Sequence, residues 1–408
     1  MWIALYITIF LIFVACYPLG HTSYQITMGF LVPKEFVFLI GSLCTIGSSL
    51  FFGNGFAKRF QNKWFSAFFI YICLMFLLNF CWPMVASLST GKIVWMATAM
   101  RPFMNMTAGM LLMVFLISMT KDYDIWVITA KVLCWIGFGF SVYAILQWLG
   151  LDQVFGNSDF EYTNKVLKRK YHMLTLLGSH VFTGLTLSVI SPLFLMFNRL
   201  KYRIAYFVVI LAIILTHNVT AYFASVAGLL IFLVLTKRRI ILIGTFVLVV
   251  LGGAYFHNNV KSFSDLSGRK NLWVSVINKY FATDMIFTGI GFGSYYYVVD
   301  APKQREDKGF EPGQLNTLWA HNEWLQLFIE GGVIGGVIVI GYFINLFIRI
   351  KDLLVSDPSV LTIGYLSVFL SFFVISLTFN PLHLAPLAMI FILTLSSLES
   401  QTIKRSAA

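Results

Sequence analysis

Apolar runs of roughly 20 residues recur from one end of this 408-residue chain to the other, and they decide what it can fold into. An α-helix needs about 20 apolar residues to cross about 30 Å of hydrocarbon. In lipid, every backbone amide must also find its partner inside the protein. Only 11% of the residues are charged and 59% are apolar, against roughly 25% charged in an ordinary soluble domain. So few polar groups cannot cover the apolar surface, which makes lipid the expected solvent. The expected fold class is all-α: a polytopic integral membrane protein with a single membrane domain over 1–408.

The runs fall at about 2–20, 33–52, 63–82, 93–118, 125–149, 173–197, 202–217, 219–236, 239–256, 320–348, 359–379 and 382–397. That gives about 12 transmembrane helices, or about 11 if a short run fails to cross. The break between the seventh and eighth rests on Thr216, His217 and Asn218. Segment 2–20 lacks a basic start and a small-residue cleavage site, so it is expected to be the first helix rather than a removed signal peptide. Cys16, Cys44, Cys73, Cys81 and Cys134 show no zinc or redox spacing and read as apolar packing residues. No carboxylates stand at metal-ligand spacing, and neither metal nor cofactor is expected.

The formal charge of +12 points to basic loops facing anionic lipid headgroups or to an anionic substrate, rather than to nucleic acid. A cytoplasmic N-terminus places inside Lys58, Arg59 and Lys63, then Arg199, Lys201 and Arg203, then Lys237, Arg238 and Arg239, and then Arg349, Lys351, Lys404 and Arg405. The opposite short connections near 84–91, 217–218 and 380–381 carry no basic residue. This asymmetry favours both termini in the cytoplasm. Two outer segments run against it. Loop 150–172 holds Lys165, Lys168, Arg169 and Lys170, and loop 257–319 holds Lys261, Arg269, Lys270, Lys279, Lys303, Arg305 and Lys308. Long loops cross regardless of charge; the sharper reading is an external anion site.

Within 257–319, Ser267 can cap a helix whose apolar face is Trp273, Val276, Ile277 and Tyr280, a pattern expected to lie at the membrane interface. Gly289, Gly291 and Gly293 then alternate through a stretch suited to a turn or a nest of backbone N–H groups. The strongest local anomaly follows. His321 stands at the entrance to a hydrophobic run in which Asn322, Gln326 and Glu330 repeat every four residues and so share one helix face. Ionisable groups at membrane depth usually face a cavity, a partner or a substrate. The plainer reading is interhelical hydrogen bonding beside a small-residue seam made by Gly331, Gly332, Gly335 and Gly336. Glu323 does not face His321 on a helix, which argues against a simple dyad. Arg101, beside Pro102 inside a span, either meets freed carbonyls or supplies a second anion contact. Lys131 either snorkels or joins the same cavity.

These elements carry a resemblance. Ser267-Gly268-Arg269 with Trp273, then Gly289-Ile290-Gly291-Phe292-Gly293, then Ala320-His321-Asn322 leading to Glu330-Gly331-Gly332-Val333-Ile334-Gly335, resemble in order the motifs of the O-antigen ligase and O-antigen polymerase superfamily. Upstream, Leu177-Gly178-Ser179-His180 and Ser191-Pro192-Leu193 resemble its Gly-Asn-Pro-Asn helix entrance only loosely. The chain departs from the family where an arginine commonly precedes that element, since it reads Tyr171-His172-Met173-Leu174-Thr175. It departs again where many members have Ser-Arg-Gly, since it reads Asn218-Val219-Thr220-Ala221-Tyr222.

The resemblance implies a GT-C-like fold in the bacterial inner membrane, with the active site facing the periplasm. It implies a metal-independent, inverting-type transferase that moves a glycan from undecaprenyl pyrophosphate to a lipid A-core or glycan acceptor. It further implies Arg269 on the pyrophosphate, His321 accepting or orienting the acceptor proton, and Lys168, Arg169, Lys170, Arg101, Asn322 and Gln326 as substrate contacts. Ligase is favoured slightly over polymerase, and a protein O-oligosaccharyltransferase is a third acceptor choice. A lipid-linked glycan transporter or flippase is the rival class, but the internal symmetry it predicts is not found.

Overall fold

The computed structural model describes residues 123–149, 180–237 and 320–406 almost continuously, the backbone of 162–164 and 169–171, and scattered positions within 5–9, 40–43, 63–74, 109–117 and 273–295. The expected spans 93–118 and 239–256 therefore lie largely or wholly outside the described residues, as do most positions of the first three.

Seven helices carry the described bundle: α1 (Tyr123–Trp148), α2 (His180–Phe194), α3 (Leu200–Leu215), α4 (Val219–Leu235), α5 (Glu323–Ser356), α6 (Val360–Ser376) and α7 (Ala385–Ser406). Each matches an expected apolar run, with shifted ends. Helix α2 is shorter than 173–197 and begins at His180, while α7 starts later than 382 because Pro381–His383 forms a 3-10 turn first. Among the described residues, two helices, Asp124–Trp148 and Glu323–Ser356, are long and apolar enough to cross a membrane, and α2, α4 and α6 are shorter apolar helices. On α5, Ile334, Val337, Ile340, Ile344 and Ile348 are each more than half exposed along one face. Such a stripe suits lipid rather than water, and it makes the architecture that of a membrane-associated all-α protein.

The polar triad at 216–218 breaks the chain as expected. Thr216 ends α3, His217 takes a left-handed φ of 53°, and Asn218 caps α4 by accepting from the Ala221 N–H at 3.1 Å. Cap oxygens of this kind satisfy amides that a helix start leaves free. Ser359 does the same for α6, accepting from Thr362 N–H at 3.0 Å. Helices α2, α4 and α6 meet at Gly228, where a Cβ would press on Pro192, Ser371 and the Ser367 carbonyl.

Cross-helix bonds align the ends. The Tyr365 hydroxyl donates to the Trp126 carbonyl, which sets the start of α1 beside the start of α6. At that same end Arg349 makes a bidentate pair with Glu399 at 2.7 and 2.8 Å and also donates to Thr402 and Asn345. At the other end, Asn218 donates to the Val181 carbonyl, Thr220 and Thr378 share a hydrogen bond, and Trp324 donates to Ser376. The end of α1 and the start of α2, which bracket 150–172, thus point the same way as the start of α5.

One expectation changes, and one alternative is narrowed. The basic segment 150–172 is not all loop, since Tyr162–Asn164 (β1) and Arg169–Tyr171 (β2) pair antiparallel, with Lys170 opposite Thr163 and Arg169 opposite Asn164. Lys131, eight residues into α1, is exposed, with its ammonium 5.9 Å from the Phe197 ring centroid.

Removing one partner from a mostly buried ion pair leaves the other charge stranded, at a cost of about 3 kcal/mol. Arg349→Ala is expected to lower the thermal unfolding midpoint clearly in detergent, and Arg349→Met with Glu399→Leu is expected to recover most of it. Equal melting of wild type and Arg349→Ala would show that the pair contributes nothing.

Candidate functional site

Helix α5 is broken. Gly332 has φ 67° and ψ −174°, so the helix proceeds as two pieces on either side of it. A break frees amides and carbonyls that the α-helix would have paired, and each one buried alone would cost about 1–3 kcal/mol. The chain around 285–290 supplies the partners. Val333 N–H donates to the Ile286 carbonyl at 3.0 Å, Ile334 N–H to the Phe287 carbonyl at 3.2 Å, and Ile290 N–H to the Ile329 carbonyl at 3.2 Å. Gly289, at φ 76°, lies against this break. A Cβ on Gly289 would overlap the Glu330 carbonyl and the Gly332 amide, and one on Gly332 would overlap Gly289 N and the Phe287 carbonyl. The first glycine of the alternating stretch therefore serves a backbone interlock rather than an open nest.

The seam expected at Gly331 and Gly335 is present, and its partner is Tyr71, whose phenol lies where a Cβ on either glycine would have to go. No signal in the sequence singled out Tyr71.

The expected apolar face of the loop helix is also found, but it packs on protein. Positions 273–281 are helical where described, and Val276 and Tyr280 are buried together with Tyr295, Ala320 and Ile329. Tyr280 stacks edge-on to Phe328 at 5.9 Å and donates to the Ile286 carbonyl at 2.8 Å. The Trp273 indole N–H donates to the Ala320 carbonyl at 2.7 Å. Apolar burial against α5 thus takes the place expected for lipid at the interface.

His321 follows directly, with a left-handed φ of 50°. His217 and Lys237 share such φ values, but each sits just after a helix end, where left-handed residues commonly close the last turn. His321 stands before a helix start, so that explanation does not reach it. Strain of this sort costs about 1–3 kcal/mol and persists where surrounding contacts enforce it. Here those contacts are specific. Ala320 N–H donates to Gln326 Oε1 at 3.3 Å, Asn322 Oδ1 caps α5 by accepting from Leu325 N–H at 3.0 Å, and the His321 ring lies 6.0 Å from that of Phe379.

The expected polar ridge is a buried network. Gln326 Nε2 donates to Glu330 Oε1 at 3.0 Å, and Gln326 Oε1 accepts from Asn380 Nδ2 at 2.8 Å. Glu330 Oε1 also accepts from Tyr295 N–H, and Glu323 Oε2 accepts from Leu382 N–H at 3.0 Å. Burial first, and then the nearby Glu330 carboxylate, push the Tyr295 phenol well above its ordinary range, which keeps it protonated. Burial holds the His217 imidazole below its usual value. The sequence reading missed Phe379 and Asn380, for which the only signal was a polar Asn-Pro step between two apolar runs.

Asn322 and Gln326 are thus brought beside His321 in internal hydrogen bonds. Arg169 and Lys170 lie in β2, in the connection that bracketing helices direct to the His321 end of the bundle. Arg269, Lys168 and Arg101 lie outside the described residues. Among the described residues, no three of His, Cys, Asp or Glu gather to hold a metal ion.

Residues 204–340 match the family model described as O-antigen ligase. Over that stretch the chain is similar to the O-antigen ligase family. The match spans α3 from Ile204, α4, the glycine interlock and α5 as far as Ile340, and so takes in Arg269, Trp273, Gly289, His321 and Gly332, the elements that carry the resemblance. Residues 168–170 and Arg101 fall outside the O-antigen ligase match. No curated protein matches the chain.

Gly332→Ala should destabilise the protein by about 2 kcal/mol or more, through left-handed strain and backbone overlap together. Gly289→Ala should do nearly as much. Thermal unfolding and limited proteolysis within 257–319 are the measurements, and loss of protection in both variants is the expected result.

Proposed function

We propose that the chain is a glycosyltransferase that moves a glycan from undecaprenyl pyrophosphate to an acceptor hydroxyl at the periplasmic side of the bacterial inner membrane, with lipid A-core as acceptor: an O-antigen ligase. The observation that carries this reading is the joining of the loop helix to the His321 segment by the Trp273 to Ala320 hydrogen bond, inside the matched region. Arg269 precedes Trp273 by four residues, and four residues of chain reach at most about 14 Å. Both groups can therefore border one site.

The chemistry requires little beyond charge and position. The leaving group already carries two phosphates, so the protein must hold and neutralise them. The Arg269 guanidinium presents a rigid fork of donors to phosphate oxygens and stays charged. Lys168, Arg169 and Lys170 complete the cradle from the hairpin connection, and Arg101 supplies a further anion contact. His321 accepts the proton of the acceptor hydroxyl as that oxygen attacks the anomeric carbon. The bond to pyrophosphate breaks on the opposite face, the configuration inverts, and no metal is needed. Asn322 and Gln326 shape the site and hold His321.

In the same reading the chain has about 12 spans in a GT-C-like arrangement. Arg199, Lys201, Arg203, Lys237, Arg349 and Lys351 gather toward the end opposite His321, which supports placing that end and both termini in the cytoplasm.

Reconstitution with a defined undecaprenyl-pyrophosphate glycan, with lipid A-core or with no second acceptor, tests the proposal. One-step transfer to core is the expected product. A ladder without core would instead make the chain a polymerase, and no product with either would favour a transporter. His321→Ala should reduce turnover by about 100-fold or more. Arg269→Ala should reduce it strongly with insertion intact, and Arg269→Lys should restore only part, because a point charge lacks the fork. Normal turnover by folded Arg269→Ala protein would remove the cradle.

A further inference from the structure

We infer that Trp273 is a positioning residue for His321, acting through the peptide bond that precedes it. This inference rests on the proposed role of His321 and adds a residue to it.

The Ala320 carbonyl that accepts from Trp273 at 2.7 Å belongs to the peptide unit shared with His321. Rotation of that peptide plane about the His321 N–Cα bond is what φ of His321 measures. Fixing the carbonyl direction therefore fixes the φ of 50°. The opposite side of Ala320 is also held, because its N–H donates to Gln326 Oε1, itself tied to Glu330 and Asn380. Ala320 is fully buried, so water does not compete for either bond. An L-residue at such a φ relaxes toward the right-handed or extended region when released, and the imidazole then swings with its Cα–Cβ bond. Trp273 thus links the loop helix to the peptide unit that precedes His321, across 47 positions of sequence.

The linkage has a functional sense. Arg269, the proposed pyrophosphate contact, stands four residues before Trp273 in the sequence. A donor that seats the loop helix also seats the Trp273 indole, and through it the base. Geometry at the acceptor hydroxyl is then set by the same element that holds the donor.

The test removes the indole N–H in two ways. Trp273→Phe removes the donor and keeps an aromatic ring, and substitution of Trp273 by 3-benzothienylalanine keeps the full bicyclic shape with sulfur in place of N–H. Turnover is measured in the reconstituted transfer from undecaprenyl-pyrophosphate glycan to lipid A-core. Both variants should lose about 10- to 100-fold in kcat, as a misplacement near 1 Å does, while KM for the donor changes less than about twofold. In a His321→Ala background the same replacements should produce no further loss, because the residue acts only through the imidazole.

Unchanged kcat in the benzothienyl protein, with His321→Ala inactive, would overturn the inference and leave the proposed function standing. A further loss in the His321→Ala background would assign Trp273 to some other task and likewise overturn it. Full activity of His321→Ala would sink the role of His321 and the inference together. A benzothienyl protein that cannot fold would make the bond a folding requirement and refute positioning.

Discussion

The His321 end of the bundle depends on a helix that does not continue. At Gly332 the backbone turns out of the α region, and the hydrogen bonds lost there are restored by the chain at 286–290 rather than by the helix. In a lipid setting this choice is narrow, since non-helical backbone is tolerated only where protein supplies the missing partners. The repair draws residues 286–290 onto α5.

From that constraint the site assembles in a short chain of contacts. The interlock fixes 285–290, Tyr280 ties the loop helix to the same turn, and Trp273 ties it to Ala320. On the other side, the connection between α6 and α7 is held by Glu323 at the Leu382 amide and by Gln326 at Asn380. His321 lies between these two attachments, next to Phe379. The carboxylates and amides of this region are engaged in hydrogen bonds to backbone and to one another.

Periodicity and polarity made part of this legible. The break at Thr216, His217 and Asn218 was readable because three polar residues interrupt an apolar run, and cap chemistry is local. The four-residue spacing placed Gln326 and Glu330 on one face, where they share a hydrogen bond, whereas Asn322 caps the helix instead. It could not say whether that face met substrate or protein, because a spacing fixes direction and not partner. The pairing of Gly289 with Gly332 was hidden for a related reason. Each glycine announces a permissive backbone, but contact between positions 43 residues apart is a tertiary fact. The hairpin at 162–171 escaped notice because strands of three residues are too short to alternate visibly, and the surrounding charges drew the reading toward a loop.

The seat of Tyr71 on Gly331 and Gly335 has a consequence for how the molecule is made. The turn, the loop helix and the first half of α5 are near neighbours in sequence, within 273–335, and can find one another as a local unit. The phenol comes from some 260 residues earlier. Its arrival closes a long chain loop, the slow kind of contact. The His321 end can therefore assemble from segments near in sequence and then be latched from a distance by the Tyr71 ring, whose fit admits only hydrogen on the two glycines beneath it.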